Sequence, residues 1–327
     1  PISPTICAIA ARQCEQDSMM PLVRGVLNFP NDLRGAVVTL GSFDGLHRGH
    51  AALLDATQAM ARRLDRRTIM LTFEPLPREF FVRDDPPARL TNLRERWRLL
   101  ERRSLDAVLV LRFDAALRNL DGAQFITLLR EHLGVAGIVV GHDFRFGRGG
   151  SADAAALVAA GAQGGFEVEV VPPVLVGSER ASSSAIRAAL ARGAFAEAER
   201  LLGRPYTMRG RVVGGRQLGR TLGFPTANIR LRRRRIPLGG IFAVRVVGAD
   251  AGLRPGVASL GTRPTVDGVE PLLETFLFDF AGDLYGRELE VEFVAHLRDE
   301  ARFDSIDALV TQMRADERAA RAVLGVD

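Results

Sequence analysis

The chain has 327 residues, of which 47% are hydrophobic and 25% are charged, and its formal net charge is +5. These values are ordinary for a folded globular protein, and the length allows two domains. No apolar run is long enough to span a bilayer, and no stretch has the layout of a secretory signal, so we expect a cytoplasmic protein that does not engage a membrane.

The positive charge does not by itself indicate nucleic-acid binding. All 44 basic residues are Arg, they are spread over both halves of the chain, and aromatic residues make up only 6%. A nucleic-acid-binding surface needs clustered basic charge with aromatic side chains between. The local exception is "RLRRRR" at 230–235, which we interpret as a solvated loop or, alternatively, as a phosphate-facing segment.

Residues 1–19 differ in character from the rest of the chain. They hold Cys7 and Cys14, the only two cysteines, and end at the first of two methionines, Met19 and Met20. Two cysteines are too few for a disulfide framework. We interpret this stretch as a cloning or start-site extension that takes no part in the fold.

The first half of the chain alternates strand-like apolar runs with amphipathic helical stretches. The strand-like runs are 35–43, 67–75, 106–113, 137–144 and 166–176. The helical stretches are 50–64, 90–103, 122–133 and 182–193. This alternation predicts an α/β domain with a parallel sheet covered by helices, in which ligands bind at the carboxyl ends of the strands.

The pattern changes after about residue 204. Shorter strand-like runs punctuated by Gly and Pro predict a small antiparallel barrel or sandwich, and 305–324 predicts a last helix with Ser305 as its N-cap. We therefore place one domain at 20–187, a helical linker at 188–204 and a second domain at 205–327.

The segment "GSFDGLHRGH" at 41–50 carries two of the five histidines, His47 and His50. A zinc site needs further ligands, and only Asp44 is close in sequence. A phosphate site fits better, because Gly41 and Gly45 allow close backbone approach and the following helix begins with free N–H groups. Both imidazoles could then donate to a leaving pyrophosphate.

Ten blocks in chain order resemble bacterial bifunctional FAD synthetases, which combine a riboflavin kinase with an FMN adenylyltransferase. Besides 41–50, the first half contains "TFEPLPREFF" (72–81), "RLTNLRERWRLL" (89–100), "VVGHDFRFGRGG" (139–150) and "SSSAIR" (182–187). The second half contains "GRVVGGRQLGRTLGFPTANI" (210–229), "GIFAV" (240–244), "LGTRPTV" (260–266), "LETFLFDF" (273–280) and "DLYG" (283–286). The resemblance implies a Rossmann-like nucleotidyltransferase domain with the HxGH signature, followed by a β-barrel kinase domain with a C-terminal helix.

For adenylyl transfer, the resemblance implies that His47, His50 and Arg187 are catalytic. Further nucleotide contacts are expected from Gly41, Phe43, Asp44, Gly45, Ser183 and Ser184. Serines at a helix start can donate to phosphate, and an Arg fork can bind it with two N–H groups. Ala181 and Ser184 depart from the family's I-S-S-T-x-I-R pattern, although Ser184 keeps a hydroxyl. The alternative is an ordinary capped helix with a surface Arg.

The resemblance also implies flavin contacts from Phe80, Asp143, Phe144, Phe146 and Arg263. Phe80 and Phe81 could cover an isoalloxazine ring or merely anchor their loop. Phe144 and Phe146 could equally be core residues, and we expect this of one of them.

In the second domain, the resemblance assigns Thr226 and Asn228 to Mg²⁺ and nucleotide, Gly219 to nucleotide and Glu274 to the catalytic base. Alternation along an extended segment puts Thr226 and Asn228 on one side, and their oxygens suit Mg²⁺. Without the resemblance, Glu274 would read as an exposed strand carboxylate. Phe276 and Gly214 depart from the family, in which His is frequent at both positions.

The expected activity is therefore phosphorylation of riboflavin to FMN and adenylylation of FMN to FAD. Mg²⁺ is the expected cofactor, ATP is a substrate, and FMN and FAD are products rather than prosthetic groups. The expected partners are riboflavin, FMN and ATP, with no nucleic acid, in a monomer or weak homo-oligomer. The alternatives are a nucleotidyltransferase of another specificity, which would lack the second half, and a flavin-binding regulator, which would have lost Glu274 or the His pair.

Overall fold

A computed structural model describes residues 20–82, 84–215, 218–265 and 268–327. Of residues 218, 220, 263–265 and 268–269 only the backbone is described. The predicted extension at 1–19 lies outside the described residues. The chain forms two compact units. The first contains the described residues up to Phe43, His50–Asp84 and Trp97–Pro173, and the second contains Asp44–Gly49, Asp85–Arg96 and Val174–Asp327.

The first unit is built on a six-stranded sheet in which every pairing is parallel. Its strand order is β1-β4-β3-β2-β5-β8. The strands are β1 (Leu22–Arg24), β2 (Val37–Leu40), β3 (Thr68–Glu74), β4 (Ala107–Arg112), β5 (Gly137–Gly141) and β8 (Glu167–Val171). The central strands are almost continuously apolar and buried, as expected for strands covered on both faces.

Several helices connect these strands. They are α1 (Arg48–Leu64), α2 (Pro77–Phe81), α3 (Leu93–Glu101), α4 (Ala115–Asn119), α5 (Gly122–Thr127) and α6 (Ala154–Gly164). A π-helical turn, Leu128–Leu133, follows α5, so the helix expected over 122–133 changes its hydrogen bonding halfway. A small ladder of β6 (Arg145–Phe146) and β7 (Ala152–Asp153) lies before α6.

The second unit contains a closed antiparallel barrel of six strands in the order β11-β12-β15-β14-β13-β16. Its strands are β11 (Thr207–Val213), β12 (Thr226–Arg230), β13 (Gly240–Val247), β14 (Leu253–Thr265), β15 (Gly268–Leu277) and β16 (Glu288–Arg298). Before the barrel come the short pair β9 (Leu175–Val176) and β10 (Glu179–Arg180), then α7 (Ser183–Ala191) and α8 (Phe195–Leu202). A short helix α9 (Leu218–Thr221) and the terminal helix α10 (Ile306–Leu324) complete the unit.

Helix α10 packs on the outside of the barrel. Ser305 is its N-cap as predicted, since its Oγ accepts from the backbone N–H of Ala308 at 3.1 Å. Ala320 is fully buried against a cluster that includes Ala243 and Phe278. The predicted architecture of a parallel sheet, an antiparallel barrel and a C-terminal helix is confirmed.

The segment at 188–204, expected to be helical, contains α8. The compact units are not divided at residue 187, because Asp44–Gly49 and Asp85–Arg96 pack with the second unit. The functional domain limits therefore stay a prediction. Helices α2, α4 and α6 and the first strand, β1, were not expected from the sequence.

Candidate active sites

Asp44 organises one site in the second unit. It follows Phe43 in the segment 41–50. It is only 2% exposed, and its carboxylate accepts from the N–H groups of Leu90 (3.1 Å) and Thr91 (2.9 Å). It also accepts from Thr91 Oγ1 at 3.2 Å and from Arg187 Nη2 at 2.6 Å. These hydrogen bonds use both carboxylate oxygens and hold Arg187 in place. The predicted contact of Asp44 with a nucleotide stays a prediction.

Arg187 is the cation of this site. Its Nε donates to the carbonyl of Ala88 at 2.5 Å, and its Nη2 is held by Asp44. Its side chain is 19% exposed. Among the described residues, none accepts from Nη1, so this nitrogen remains available to an anion. The arrangement fixes the guanidinium while leaving one edge for a phosphate.

His47 is a buried, uncharged imidazole. It is 7% exposed, and this burial is the main cause that lowers its pKa from 6.5 to about 4. The positive charges of Arg180, Arg204 and Arg187 lower the pKa further, whereas the negative charge of Asp44 raises it. At neutral pH the ring therefore carries one N–H and no net charge. It can donate a hydrogen bond to developing negative charge, which is the role expected from the sequence.

The serines of "SSSAIR" begin helix α7. Ser182 is the N-cap and accepts from the N–H of Ala185 at 3.2 Å. Ser183 Oγ donates to the backbone carbonyl of Asp44 at 2.9 Å, whereas Ser184 is exposed. Ser183 thus joins the helix start to the Asp44 segment, and Ser184 presents its hydroxyl to solvent.

Gly41, Phe43 and His50 belong to the first unit. Phe43 has a positive φ of 48° and is fully buried, and its ring lies 5.0 Å from the His50 ring. A Cβ at Gly41 would meet the Phe43 ring at 3.1 Å. The buried Phe43 ring packs against His50, which lies in the first turn of α1, and the predicted nucleotide contact of Phe43 stays a prediction.

A second site lies on the barrel, where Thr226 and Asn228 alternate with buried Ala227 and Ile229 along β12. Asn228 pairs with Glu274 of β15 in the strand register. Directly opposite residues point to the same face of a sheet, so a hydroxyl, an amide and a carboxylate share one face.

Two glycines from the segment before β12, Gly215 and Gly219 of α9, lie against this face. A Cβ at Gly215 would meet Asn228 Nδ2 at 2.2 Å, and one at Gly219 would meet the carbonyl of Phe224 at 2.3 Å and Thr226 Oγ1 at 3.4 Å. Both glycines lie in the Gly-rich block at 210–229, although only Gly219 was expected individually to contact the nucleotide. The loop backbone therefore approaches both polar side chains closely, as a phosphate-covering loop requires.

The donor set of the barrel face fits Mg²⁺. The side-chain oxygens of Thr226 and Asn228 are hard ligands, which Mg²⁺ prefers together with phosphate and water oxygens. In the part of the chain that the structure describes, no three His, Cys, Asp or Glu residues group as a metal site. Thr226 and Asn228 would hold Mg²⁺ together with nucleotide oxygens.

Phe276, a departure from the family pattern, packs beside this face. Its ring lies 5.2 Å from that of Phe224 and 5.9 Å from that of Phe278. It pairs with Thr226 in the strand register. The residue therefore supplies apolar packing next to the polar side chains of this face.

An aromatic cavity of about 470 Å³ lies in the first unit. Phe144 and Phe146 both line it, with stacked rings 5.7 Å apart at 21°, although Phe146 is also buried. Its other aromatic lining residues are Phe73, Phe81, Phe113 and Phe125, and Arg118 and Arg145 add positive charge. Such a cavity suits a flat, aromatic and partly anionic ligand.

Of the described side chains predicted to contact flavin, those of Phe80 and Asp143 are not part of this lining. Phe80 packs against Phe113 at 5.4 Å, whereas Phe81 lines the cavity, and the flavin contact expected of Phe80 stays a prediction. Asp143 is exposed and lies outside the lining. The side chain of Arg263 lies outside the described part of the chain.

The Arg-rich segment contains a buried ion pair. Arg233 forms a salt bridge with Glu95, and its Nη1 donates to Tyr206 Oη at 3.0 Å and to the carbonyl of Arg89 at 3.2 Å. Burial alone lowers the pKa of Arg233, but Glu95 and Tyr206 outweigh it, so the pKa rises. Neither expectation for this segment, solvated loop or phosphate contact, holds for Arg233.

Sequence reasoning missed the residues that hold these sites together. Thr91, Arg204 and Tyr206 contact segments far away in sequence, and no local pattern singles out one Arg among 44. The only available signal was that Thr91 falls within the block at 89–100.

None of the helices that the structure describes combines the length and apolar character needed to cross a membrane.

Two different protein families match successive parts of the chain. The model of the FAD synthetase family matches residues 29–185, and that of the riboflavin kinase family matches residues 202–324. The Escherichia coli (strain K12) protein named "Bifunctional riboflavin kinase/FMN adenylyltransferase" is 46% identical over 309 residues, covering 94% of this chain and 99% of the relative. The Pseudomonas fluorescens protein of the same name is 46% identical over 306 residues, covering 93% and 98%.

One solved structure covers nearly the whole fold. It is titled "Crystal Structure of Macrolide-efflux Protein from Streptococcus pneumoniae", and it is 32% identical with a TM-score of 0.78. The match covers 93% of this chain and 99% of that one. The likeness therefore includes both the parallel sheet and the barrel.

Proposed function

The chain belongs to the family of bifunctional riboflavin kinases/FMN adenylyltransferases, and we propose how its residues divide the two reactions. It converts riboflavin to FMN with ATP, and then transfers AMP from ATP to FMN, giving FAD and pyrophosphate. We assign the first reaction to the barrel face and the second to the segment 41–50 with the start of α7. The corresponding domains are 205–327 and 20–187, joined by 188–204, and the family matches support these limits.

In the kinase reaction, Glu274 accepts the proton of the riboflavin 5′-hydroxyl as that oxygen attacks the γ-phosphorus of ATP. The bond from this phosphorus to the bridging oxygen breaks, and ADP leaves. Thr226 and Asn228 would hold Mg²⁺, which when bound neutralises phosphate charge. The backbone at Gly215 and at Gly219 lies close to these side chains and would cover the phosphates. The remaining rate enhancement comes from positioning the riboflavin hydroxyl in line with the γ-phosphorus.

In the adenylyl reaction, a phosphate oxygen of FMN attacks the α-phosphorus of ATP, and pyrophosphate leaves. No protein nucleophile is required, because a phosphate monoester is ionised at neutral pH. His47 and His50 donate hydrogen bonds to the charge that develops on the triphosphate, and Arg187 adds its free Nη1. Gly41 and Gly45 allow the backbone to approach the nucleotide.

We assign the isoalloxazine ring of FMN to the aromatic cavity. Phe81, Phe144 and Phe146 offer ring faces, and the cavity volume of about 470 Å³ lies in the range of small-molecule sites. Arg118 and Arg145 supply positive charge for the anionic FMN.

One observation carries the assignment of two separate sites. On the barrel, Asn228 and Glu274 are direct partners across β12 and β15. In the same unit, His47 and Arg187 are organised instead around the buried carboxylate of Asp44. Each group has the chemistry of one reaction and lacks that of the other.

The test is a time course with riboflavin and Mg-ATP, in which the flavins are separated by chromatography. FMN should appear first and FAD should follow, and omission of Mg²⁺ with added chelator should stop FMN formation. Absence of both FMN and FAD under native conditions would overturn the proposal. We further propose a cytoplasmic monomer or weak homo-oligomer without nucleic-acid partners.

A further inference from the structure

Arg204 holds the backbone on the N-terminal side of His47. Its Nη1 donates to the carbonyl of Leu46 at 3.1 Å, and its Nη2 donates to the carbonyl of Gly45 at 2.7 Å. One guanidinium therefore fixes two consecutive carbonyl groups, and these belong to the two residues directly before the histidine. A planar guanidinium that donates two hydrogen bonds fixes both the distance and the orientation of the backbone that accepts them.

The backbone that Arg204 holds has an unusual conformation. Gly45 has φ 84° and Leu46 has φ 43°, so two consecutive residues occupy the left-handed region. That region is costly for a residue with a Cβ such as Leu46, and it persists only where surrounding contacts enforce it. The two hydrogen bonds from Arg204 are contacts of that kind.

The C-terminal side of His47 is held by the same part of the chain. Arg48 Nε donates to the backbone carbonyl of Arg200, in the last turn of α8, at 2.8 Å. Arg200 and Arg204 thus form hydrogen bonds with the residues directly before and after His47. This stretch lies at the end of the predicted linker, and Arg204 falls within the match to the riboflavin kinase family.

We propose that Arg204 is a positioning residue for adenylyl transfer, holding the Gly45–Leu46 backbone so that the His47 imidazole faces the triphosphate of ATP. Arg204 itself touches the loop and not the reacting atoms. The inference rests on the role proposed above for His47. Arg204, which lies within the match to the riboflavin kinase family, would therefore contribute to adenylyl transfer.

The charge around His47 is consistent with this arrangement. Arg204, together with Arg180 and Arg187, lowers the pKa of the buried His47 ring. The same side chain therefore fixes the position of the imidazole and helps to keep it uncharged.

The test compares Arg204→Met and Arg204→Lys with the native chain. Arg204→Met keeps the length of the side chain but removes both donors, and it should lower kcat for FAD formation from added FMN by roughly 30- to 100-fold, as loss of positioning does. KM for FMN should change by less than about threefold, since no substrate contact is removed. Arg204→Lys can still donate to one carbonyl, so its kcat for FAD formation should lie between those of Arg204→Met and the native chain.

Three controls make the result specific. Riboflavin phosphorylation by each variant should stay within about twofold of native, because the barrel face is untouched. Arg192→Met, which removes an exposed Arg paired only with Glu197 among the described residues, should leave FAD formation unchanged. Thermal unfolding of every variant reports whether it folds.

The outcomes separate this inference from the proposed function. A native rate of FAD formation in Arg204→Met, or an equal loss of both activities, would overturn the positioning role. If Arg204→Met does not fold, Arg204→Lys decides in the same way. His47→Ala is measured alongside: if it forms FAD at the native rate, the assignment of His47 fails, whereas a slow His47→Ala with a normal Arg204→Met defeats only the inference.

Discussion

Asn228 on β12 and Glu274 on β15 are direct partners in the antiparallel register of the barrel. The amide that is assigned to the metal-bound nucleotide and the carboxylate that is assigned as base therefore lie side by side. This pairing depends on backbone hydrogen bonds between strands, which keep the two side chains on one face whatever else moves. Changes that disturb this face should affect the kinase reaction first.

Gly215→Ala should slow riboflavin phosphorylation by roughly 10- to 100-fold, because a Cβ at this position would meet Asn228 Nδ2 at 2.2 Å and displace the amide. FAD formation from added FMN should not change. Gly214→Ala is the matched control, since a Cβ at Gly214 meets no atom of the described residues within 4 Å. Equal effects of the two substitutions on initial rates would contradict the proposed contact.

His47 should make the folded state acid-sensitive. Its folded pKa of about 4 lies below the ordinary 6.5, so the unfolded chain binds the proton first, and stability is present above pH 6.5 and lost as the pH falls towards 4. Between pH 7 and pH 5 the native protein should lose about 2 kcal/mol more unfolding free energy than His47→Gln does. Urea titrations at both pH values measure this.

The control for the acid effect is His142→Gln, in which an exposed imidazole is removed. It should lose stability between the two pH values as the native protein does. If His47→Gln behaves like His142→Gln, the imidazole of His47 is not held uncharged by burial.

Phe81→Ala should raise KM for FMN in the adenylyl reaction by about 2- to 10-fold, the value of one aromatic contact, with little change in kcat. Val82→Ala removes a neighbouring side chain that is 46% exposed and does not line the cavity, and it should have no effect. An unchanged KM in Phe81→Ala would show that the flavin binds elsewhere.

Arg233→Met should lower the free energy of unfolding by roughly 3–5 kcal/mol, because the buried Glu95 carboxylate loses its cation. Arg234→Met changes the next, exposed residue and should alter stability by less than about 0.5 kcal/mol. Urea denaturation distinguishes the two variants. Similar small losses would mean that the Arg233–Glu95 pair contributes little.

The sequence predicted well what depends on local pattern. Alternation along β12 correctly placed Thr226 and Asn228 on one face, because side-chain direction in a strand follows from position alone. The strand–glycine–helix order around 41–50 likewise predicted the helix start at Arg48 to within two residues. Glu274 was different, since only the family resemblance distinguished it from other strand carboxylates.

The sequence could not predict contacts between distant segments. Arg204 reaches carbonyl groups more than 150 positions earlier, and Arg233 finds Glu95 at a similar separation. Such pairings follow from how strands and helices assemble, and no local pattern specifies them.

The central claim is that one chain carries two separable reactions on the two sites. The most direct test measures both products in Glu274→Gln and His50→Ala, by chromatography of flavins after incubation with Mg-ATP. Glu274→Gln should form no FMN from riboflavin but should still convert added FMN to FAD, whereas His50→Ala should accumulate FMN and stop there. If either substitution reduces both reactions equally, the assignment of the two reactions to separate sites is wrong.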